Sequence, residues 1–403
     1  MHLLLLTPQI PYPPRQGASL RNYYIIRGLS ERHDVTLLSF RESQQKVDVG
    51  EIAPLLEVCA GGMYYSAVPE RTTAMRLRSL FTSTRPDMAF RLASADYEAQ
   101  LVGLLQERPF DIVQIEGLEL AHTIPLIRQH SPTTKIIFDN HNAETELQRR
   151  TLATDWQEPR RWLAAGYSAI QVVKLSAYED WACQAADAVT VVSEADARHL
   201  QAQLPRLRPT VIPNCIDTTE YENLTIDPRF ASDLLFVGKM DYRPNVDGMT
   251  WFLEEIWPQI IAKRPQTTLA IVGQKPTGRL RTLGEMPNVT ITGMVESVEP
   301  YLAAARVVIL PLRMGSGTRL KFLEACAASK PIVSTYVGAE GFAVEQGKQA
   351  FLADEPEWFA QYALSLLNNP EGAQKLGQTA RLFARQCDWR QVVPRFEKVY
   401  RGR

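Results

Sequence analysis

Short, nearly uninterrupted runs of Leu, Ile and Val recur along this chain between longer stretches with helical spacing, and they fall into two series. The first comprises HLLLLT (2–7), DVTLLSF (34–40), MYYSAV (63–68), FDIVQI (110–115), KIIFD (135–139) and AVTVVS (188–193). The second comprises LLFVG (234–238), LAIVG (269–273), VTITG (289–293), RVVILPL (306–312) and PIVST (331–335). A strand with one wet face alternates polar and apolar residues, whereas a strand apolar at every position is covered on both faces, as in a parallel sheet sandwiched by helices. The shortness of the runs separates them from buried helices. The fold class is therefore α/β, with two doubly wound, Rossmann-like domains.

A chain of 403 residues fits that division, because single cores stop growing near ~250–300 residues. Between the two series, residues 204–230 carry four prolines and little periodicity. The expected organisation is a first domain over 1–205, a hinge region over 206–230 with the boundary near 215, a second domain over 231–386, and a C-terminal helix over 387–403. Pro394 could kink or break that helix, and its destination, the second domain or back to the first, stays open. Two such domains would face each other across a cleft lined by strand C-terminal edges, where open α/β sheets bind ligands.

Composition excludes several function classes. Lys+Arg 44 against Asp+Glu 45 gives a net charge of -1, so no whole-molecule field draws the chain to nucleic acid, and any anion site is local. Five cysteines at 59, 183, 215, 326 and 387, without a CxxC, argue against a disulfide framework or zinc knuckle and fit a reducing cytoplasm. MHLLLLTPQIPYPP is too short for a signal or membrane-spanning segment, and no ~18-residue apolar run follows. Membrane contact would be peripheral, at the inner face. One stretch is suited to it: residues 70–91 interleave Arg71, Arg76, Arg78, Arg85 and Arg91 with Leu77, Leu80, Phe81 and Phe90. That pattern fits an anionic bilayer or a lipid-phosphate acceptor, and equally a solvated helix with a buried stripe.

GSGTRLKFLEACAASK (315–330) carries the clearest local chemistry. Leu320, Leu323 and Ala327 form one helical stripe, and Lys321 and Glu324 lie on a neighbouring face. Backbone N–H groups of Gly315, Ser316, Gly317 and Thr318 at a helix N-terminus suit a phosphate. Lys321 is misplaced in a first turn unless an anion sits beside it, and Glu324, a turn deeper, could accept from ribose hydroxyls. An ordinary surface Lys/Glu pair explains the same residues. Neither GxxxxGK[ST] nor GxGxxG is present, and HExxH and DxD are absent, so no metal or other cofactor is expected.

Taken together in order, PYPPRQGASLRNYYIIRGLSERHDVTLLSF (11–40), VIPNCID (211–217), LLFVGKMDYRPNVDGMTWFLEEIWPQI (234–260), VTITGMVESVEPYLAAARVVILPL (289–312) and GSGTRLKFLEACAASKPIVSTYVGAEG (315–341) resemble retaining glycosyltransferases of family 4 (glycosyltransferase group 1). The resemblance implies a GT-B fold, a nucleotide diphosphate sugar as donor bound by the second domain, and a carbohydrate, glycolipid or small-molecule acceptor held mostly by the first. It implies transfer with retention in bacterial glycan or polysaccharide synthesis, through front-face attack assisted by the leaving phosphate. A sugar-nucleotide epimerase of the same fold and a non-catalytic nucleotide-binding module are the alternatives.

Residue by residue, Glu324 corresponds to the second glutamate of the family's E-x7-E motif, which contacts the nucleotide ribose. The first falls at Ser316, a departure. Lys239, after the strand glycine Gly238, stands where the family has an arginine that neutralises the diphosphate, and its usual second lysine is replaced by Pro244-Asn245, leaving Lys321 as the substitute. His141, directly after a strand, resembles the histidine that hydrogen-bonds the transferred sugar. Gly17, before a helix expected to open at Ser19, lets the loop approach the diphosphate without a Cβ, or is an ordinary turn residue. Glu116 and Arg21 are acceptor-side candidates, Glu116 being equally readable as a solvated carboxylate. Ser193 with Asp196 is a helix N-cap without chemistry.

Overall fold

The computed structural model describes residues 1–14, 17–42, 48–141, 144–156, 162–274, 278–315 and 318–402. The chain forms two compact units, Met1–Cys215 together with Trp389–Arg403, and Ile216–Asp388. Residues 206–215 thus pack with the first unit and 216–230 with the second, dividing the segment expected as a hinge.

The first unit is built on seven parallel strands, β1 (His2–Thr7), β2 (Asp34–Arg41), β3 (Met63–Ala67), β4 (Ile112–Glu116), β5 (Lys135–Asn140), β6 (Ala188–Val191) and β7 (Thr210–Val211), in the order β3-β2-β1-β4-β5-β6-β7. Leu3 through Leu6 of β1 are fully buried, because β1 is paired on both edges, Leu5 with Leu37 of β2 and with Gln114 of β4, and covered on both faces. Burying one such leucine stabilises by ~1.5–3 kcal/mol. Strand order reverses between β1 and β4, the switch point at whose C-terminal edge ligands bind in this architecture. Glu116 ends β4 there, and His141 follows β5 next door.

Helix Trp389–Tyr400 runs unbroken through Pro394 and belongs to the first unit. Its packing partner is helix Gly17–Ser30, and a Cβ on Gly28 would come within 2.8 Å of Val393 and 2.9 Å of the Trp389 ring. Lys135 Nζ caps its C-terminal end by donating to the Val399 and Tyr400 carbonyls at 2.7 and 3.2 Å.

The second unit carries six parallel strands, β8 (Ser232–Val237), β9 (Leu269–Val272), β10 (Val289–Ile291), β11 (Ala305–Leu310), β12 (Ile332–Ser334) and β13 (Phe351–Leu352), in the order β10-β9-β8-β11-β12-β13. Its switch point lies between β8 and β11. Gly238 and Lys239 leave β8 at that edge, and the segment that begins at Gly315 follows β11. The two ends of the second unit lie side by side: Ile216 N donates to Cys387 O at 3.2 Å, and the Asp388 carboxylate accepts from Thr218 N and Oγ1 at 3.0 and 2.7 Å.

Candidate functional site

In the second unit the helix after β11 is Leu320–Ala327, with Arg319 at its N-cap. All its residues are buried except Lys321 and Glu324, which are half-buried, so the predicted stripe faces the core and the predicted pair faces the strand edge. Lys321 and Glu324 turn to different partners. Lys321 Nζ donates to Asn245 Oδ1 at 3.0 Å and sits 4.8 Å from the centre of the Phe236 ring. Glu324 Oε1 accepts from the Tyr221 hydroxyl at 3.2 Å.

Asn245 is buried in the first turn of helix Arg243–Trp251, where it also donates to the Lys239 carbonyl at 2.8 Å. One amide therefore joins the β8 exit to the β11 helix. Gly238 makes that junction possible: a Cβ there would lie 2.7 Å from Asn245 Nδ2 and 2.8 Å from Lys321 Nζ. Gly273 after β9 has the same steric logic, since its Cβ would strike the Gly238 carbonyl. Lys239 itself is exposed.

Burial, with the Arg319 charge adding to it, lowers the Lys321 pKa from 10.5 to about 8, so the ammonium is charged at neutral pH but weakly held. Burial also raises the Glu324 carboxyl above its usual range, opposed by the Tyr221 hydroxyl and by Lys321. A half-buried cation at the switch point beside a helix N-terminus favours an anionic ligand. Gly315 adopts φ +112°, and Thr318 is half-buried with no hydrogen-bond partner for Oγ1 among the described residues. Ser316 and Gly317, the centre of the predicted cradle, lie outside the described residues.

The first unit gathers a second polar cluster. Arg21, expected on the acceptor side, is 1% exposed. Its guanidinium donates to Asp139 Oδ2 at 2.9 and 3.2 Å, to the carbonyls of Ile212 and Pro213 at 3.3 and 3.0 Å, and to Asn214 Oδ1 at 3.1 Å. This corrects the expectation: Arg21 is a buried cross-link between β5 and the segment after β7, with its donors committed to the protein. Glu116 is not a solvated loop carboxylate either. It is fully buried, accepts from Gln114, and lies 3.8 Å from His141 Nδ1.

Burial and the neighbouring Asp139 hold the Glu116 carboxyl well above the ordinary carboxylate range. Asp139 goes the other way despite its burial, because Arg21, His141 and the Thr190 hydroxyl, 2.6 Å away, favour its charge. A neutral Glu116 beside an ionised Asp139 is the expected outcome for two carboxyls sharing one guanidinium. His141 is lowered by burial first, with Arg21 acting in the same direction and Asp139 opposing, so its imidazole is neutral at pH 7 and can donate or accept. Gly117, at φ +90°, leaves room for it: a Cβ would be 3.0 Å from His141 Cε1.

Glu116, Asp139 and His141 are also the one trio among the described residues whose ligand atoms come together closely enough for a metal ion. The buried Arg21 guanidinium already occupies the cationic role there and would repel a second cation. Gly17 is exposed as the first residue of helix Gly17–Ser30, which begins two residues before the expected cap, Ser19. Ser193 caps helix Glu194–Gln203 as its pattern predicts, accepting from Asp196 N at 3.1 Å.

Two family models match the chain, "Glycosyltransferase Family 4" over residues 15–220 and "Glycosyl transferases group 1" over residues 231–369. The first alone spans more than half of it. The chain belongs to glycosyltransferase family 4. A 44.6 kDa protein from the cps region of Klebsiella pneumoniae is 25% identical over 201 residues, covering 48% of this chain and 50% of that protein. Glycogen synthase of Mycobacterium tuberculosis is 29% identical over 203 residues, covering 47% and 48%. This family 4 chain thus matches about half the length of those relatives. Among solved structures, Anabaena HepE in complex with UDP superposes with a TM-score of 0.68 over the whole of both chains at 16% identity, which shows the GT-B fold.

Three residues of these candidate clusters were invisible to local sequence reasoning. Tyr221 lies in a 3-10 turn, Thr218–Tyr221, inside the proline-rich segment, 103 positions from Glu324. Gln114 and Tyr400 lie 286 positions apart, yet the Tyr400 hydroxyl donates to Gln114 Oε1, and Gln114 in turn donates to Glu116. The only sequence signal for any of them is parity within β4, which places Gln114 and Glu116 on the same face.

Proposed function

We propose that this chain transfers a sugar from a nucleotide diphosphate sugar to an acceptor hydroxyl with retention at the anomeric carbon. The observation that carries the reading is the junction of Gly238, Asn245, Lys321 and Glu324 at the switch point of the second unit. A β8 exit with no side chain, a cation braced by an amide and a carboxylate one turn away suit a diphosphate followed by a ribose. Family membership and the UDP bound by HepE support the same reading.

In the proposed reaction the acceptor oxygen forms a bond to the anomeric carbon on the face the diphosphate leaves. The carbon–oxygen bond to the phosphate breaks, and the acceptor proton passes to a departing phosphate oxygen. Negative charge grows on the diphosphate, where the Lys321 ammonium, Lys239 and the backbone N–H groups of Gly315 and Thr318 would stabilise it. Glu324 would accept from the ribose hydroxyls, with Tyr221 fixing its carboxylate. In the first unit, neutral His141 would hydrogen-bond the sugar, and Glu116 and Asp139 would set its environment. The acceptor is a carbohydrate, glycolipid or small molecule, and the setting is bacterial glycan synthesis.

Incubation with a panel of UDP-, GDP- and ADP-sugars and candidate acceptors tests this. Release of nucleoside diphosphate coupled to a glycosylated product with unchanged anomeric configuration by NMR is expected. Glu324→Gln and Lys321→Ala should each depress turnover with the fold intact. An isomerised nucleotide sugar without acceptor would point to an epimerase, nucleotide binding without turnover to a binding module, and full activity in both variants would remove this site.

A further inference from the structure

Helix Thr73–Thr82 exposes the wrong residues for a helix whose apolar side is buried. Only Leu80 is buried; Phe81 is 79% exposed, Leu77 50% and Met75 51%. Leu77 and Phe81, four apart, lie side by side on the outer face, with Arg78 adjoining them. The opposite side is held down: Ser79 Oγ accepts from Arg71 at 3.4 Å, and Arg76 pairs with Asp87 at 3.3 Å. The apolar outer stripe is therefore fixed in place.

A second stripe lies on helix Trp162–Ala185. Trp162, Ile170 and Val173 share one face, and Val173 is 72% exposed. The adjoining face binds the turn after the first helix: Lys174 Nζ caps the Leu80 and Ser83 carbonyls at 2.5 and 2.7 Å, and Gln171 accepts from Asp87 N at 2.9 Å. Lys174, next to Val173 in the chain, thus ties this helix to the end of the helix that carries Phe81.

The first of these helices is positively charged on its outer side. Helix Thr73–Thr82 contains no acidic residue, Arg78 and Arg85 are exposed, and residues 70–91 hold five arginines against Glu70 and Asp87. Exposed Leu77 and Phe81 on a segment that also exposes Arg78 and Arg85 match an anionic bilayer, whose phosphates attract the guanidinium groups while the apolar side chains enter the headgroup boundary. No helix among the described residues is long and apolar enough to cross a membrane. We infer that this face of the first unit, led by Leu77 and Phe81, docks the chain peripherally on an anionic lipid surface.

Co-sedimentation of the full chain with vesicles tests the inference, using phosphatidylglycerol mixed equally with phosphatidylcholine against phosphatidylcholine alone. Binding to the anionic vesicles only, weakened at ~0.5 M salt, is expected. Leu77→Ser/Phe81→Ser and Arg78→Gln/Arg85→Gln should each weaken it at least tenfold at an unchanged melting temperature. A Phe81→Trp variant should show a blue-shifted emission quenched by brominated lipid. Absence of binding, binding unchanged in both double variants, or a wild-type dimer that Leu77→Ser/Phe81→Ser makes monomeric would overturn it, the last by making a second copy the occupant.

Discussion

Replacing Lys321 with Gln separates what this residue does for the ligand from what it does for the fold. In the folded chain its ammonium is braced by Asn245 and the Phe236 ring, and its pKa falls from 10.5 to about 8. At 1.36 kcal/mol per pH unit, keeping it charged costs about 3 kcal/mol relative to water, an upper figure for a half-buried group. Below pH 8 it is protonated both folded and unfolded, and the folded state carries the whole penalty. Between about 8 and 10.5 the unfolded chain binds more protons, so this group makes stability rise with pH, and above 10.5 the penalty is gone. Gln keeps a donor for Asn245 without the charge. At pH 7 the variant should therefore melt no lower than wild type, and higher by ~2–4 °C for each kcal/mol recovered.

Affinity should move the other way. A charged hydrogen bond to phosphate contributes about 1.5–3 kcal/mol, so Lys321→Gln should raise the Kd for the best of UDP, GDP and ADP by ~10–150-fold in calorimetric titration. Wild-type affinity should fall as pH rises through about 8, approaching tenfold per pH unit, because binding must then take up a proton. The variant should lack that slope. A variant that loses stability yet keeps its affinity, or that keeps the slope, would refute the assignment of Lys321 to an anionic ligand.

Three further perturbations probe the neighbouring parts. Gly238→Ala places a Cβ within 2.8 Å of both Asn245 and Lys321, so the junction must open; nucleoside diphosphate affinity should fall about tenfold or more, with a smaller change in melting temperature. Asp139→Asn leaves the buried Arg21 without its counter-charge, a loss of about 3–5 kcal/mol reduced by whatever Glu116 recovers on ionising; urea unfolding should show it, with the deficit shrinking as pH rises and Glu116 deprotonates. Tyr400→Phe leaves Gln114 Oε1 buried without its donor and should destabilise by about 1–3 kcal/mol, read from the same unfolding curves.

How legible each part was follows from how local its cause is. A strand buried on both faces declares itself in its own residues, as HLLLLT does, whereas β7 and β13, two residues each, contain no run to find. The Ser193 cap was readable because donor and acceptor are three residues apart. Arg21 was misplaced for the opposite reason: a cation on a helix after a glycine looks the same whether it faces solvent or Asp139, 118 positions away. Glu116 was half-read for the same reason, since nothing in QIEG announces the guanidinium that settles which of two carboxyls ionises. Lys321 and Glu324 were legible as a pair of charges but not as members of different contacts, because Asn245 and Tyr221 come from other elements.

The departures from the family pattern also make joint sense once Asn245 is placed. The resemblance puts a glutamate where this chain has Ser316 and a second lysine where it has Pro244-Asn245. Losing one acid and one base together leaves the formal charge of the donor region unchanged. What changes is how the remaining cation is held. Lys321 is braced by a neutral amide, and Glu324 hydrogen-bonds Tyr221, so among the described residues no carboxylate is hydrogen-bonded to the ammonium, and Glu324 offsets its charge only through space. Burial and the Arg319 charge depress its pKa, and the same burial makes its attraction for an incoming anion stronger than it would be in water. The weak hold on the proton and the strength of the proposed phosphate contact share burial as their first cause, and for that reason the pH slope of binding and the stability of Lys321→Gln should stand or fall together.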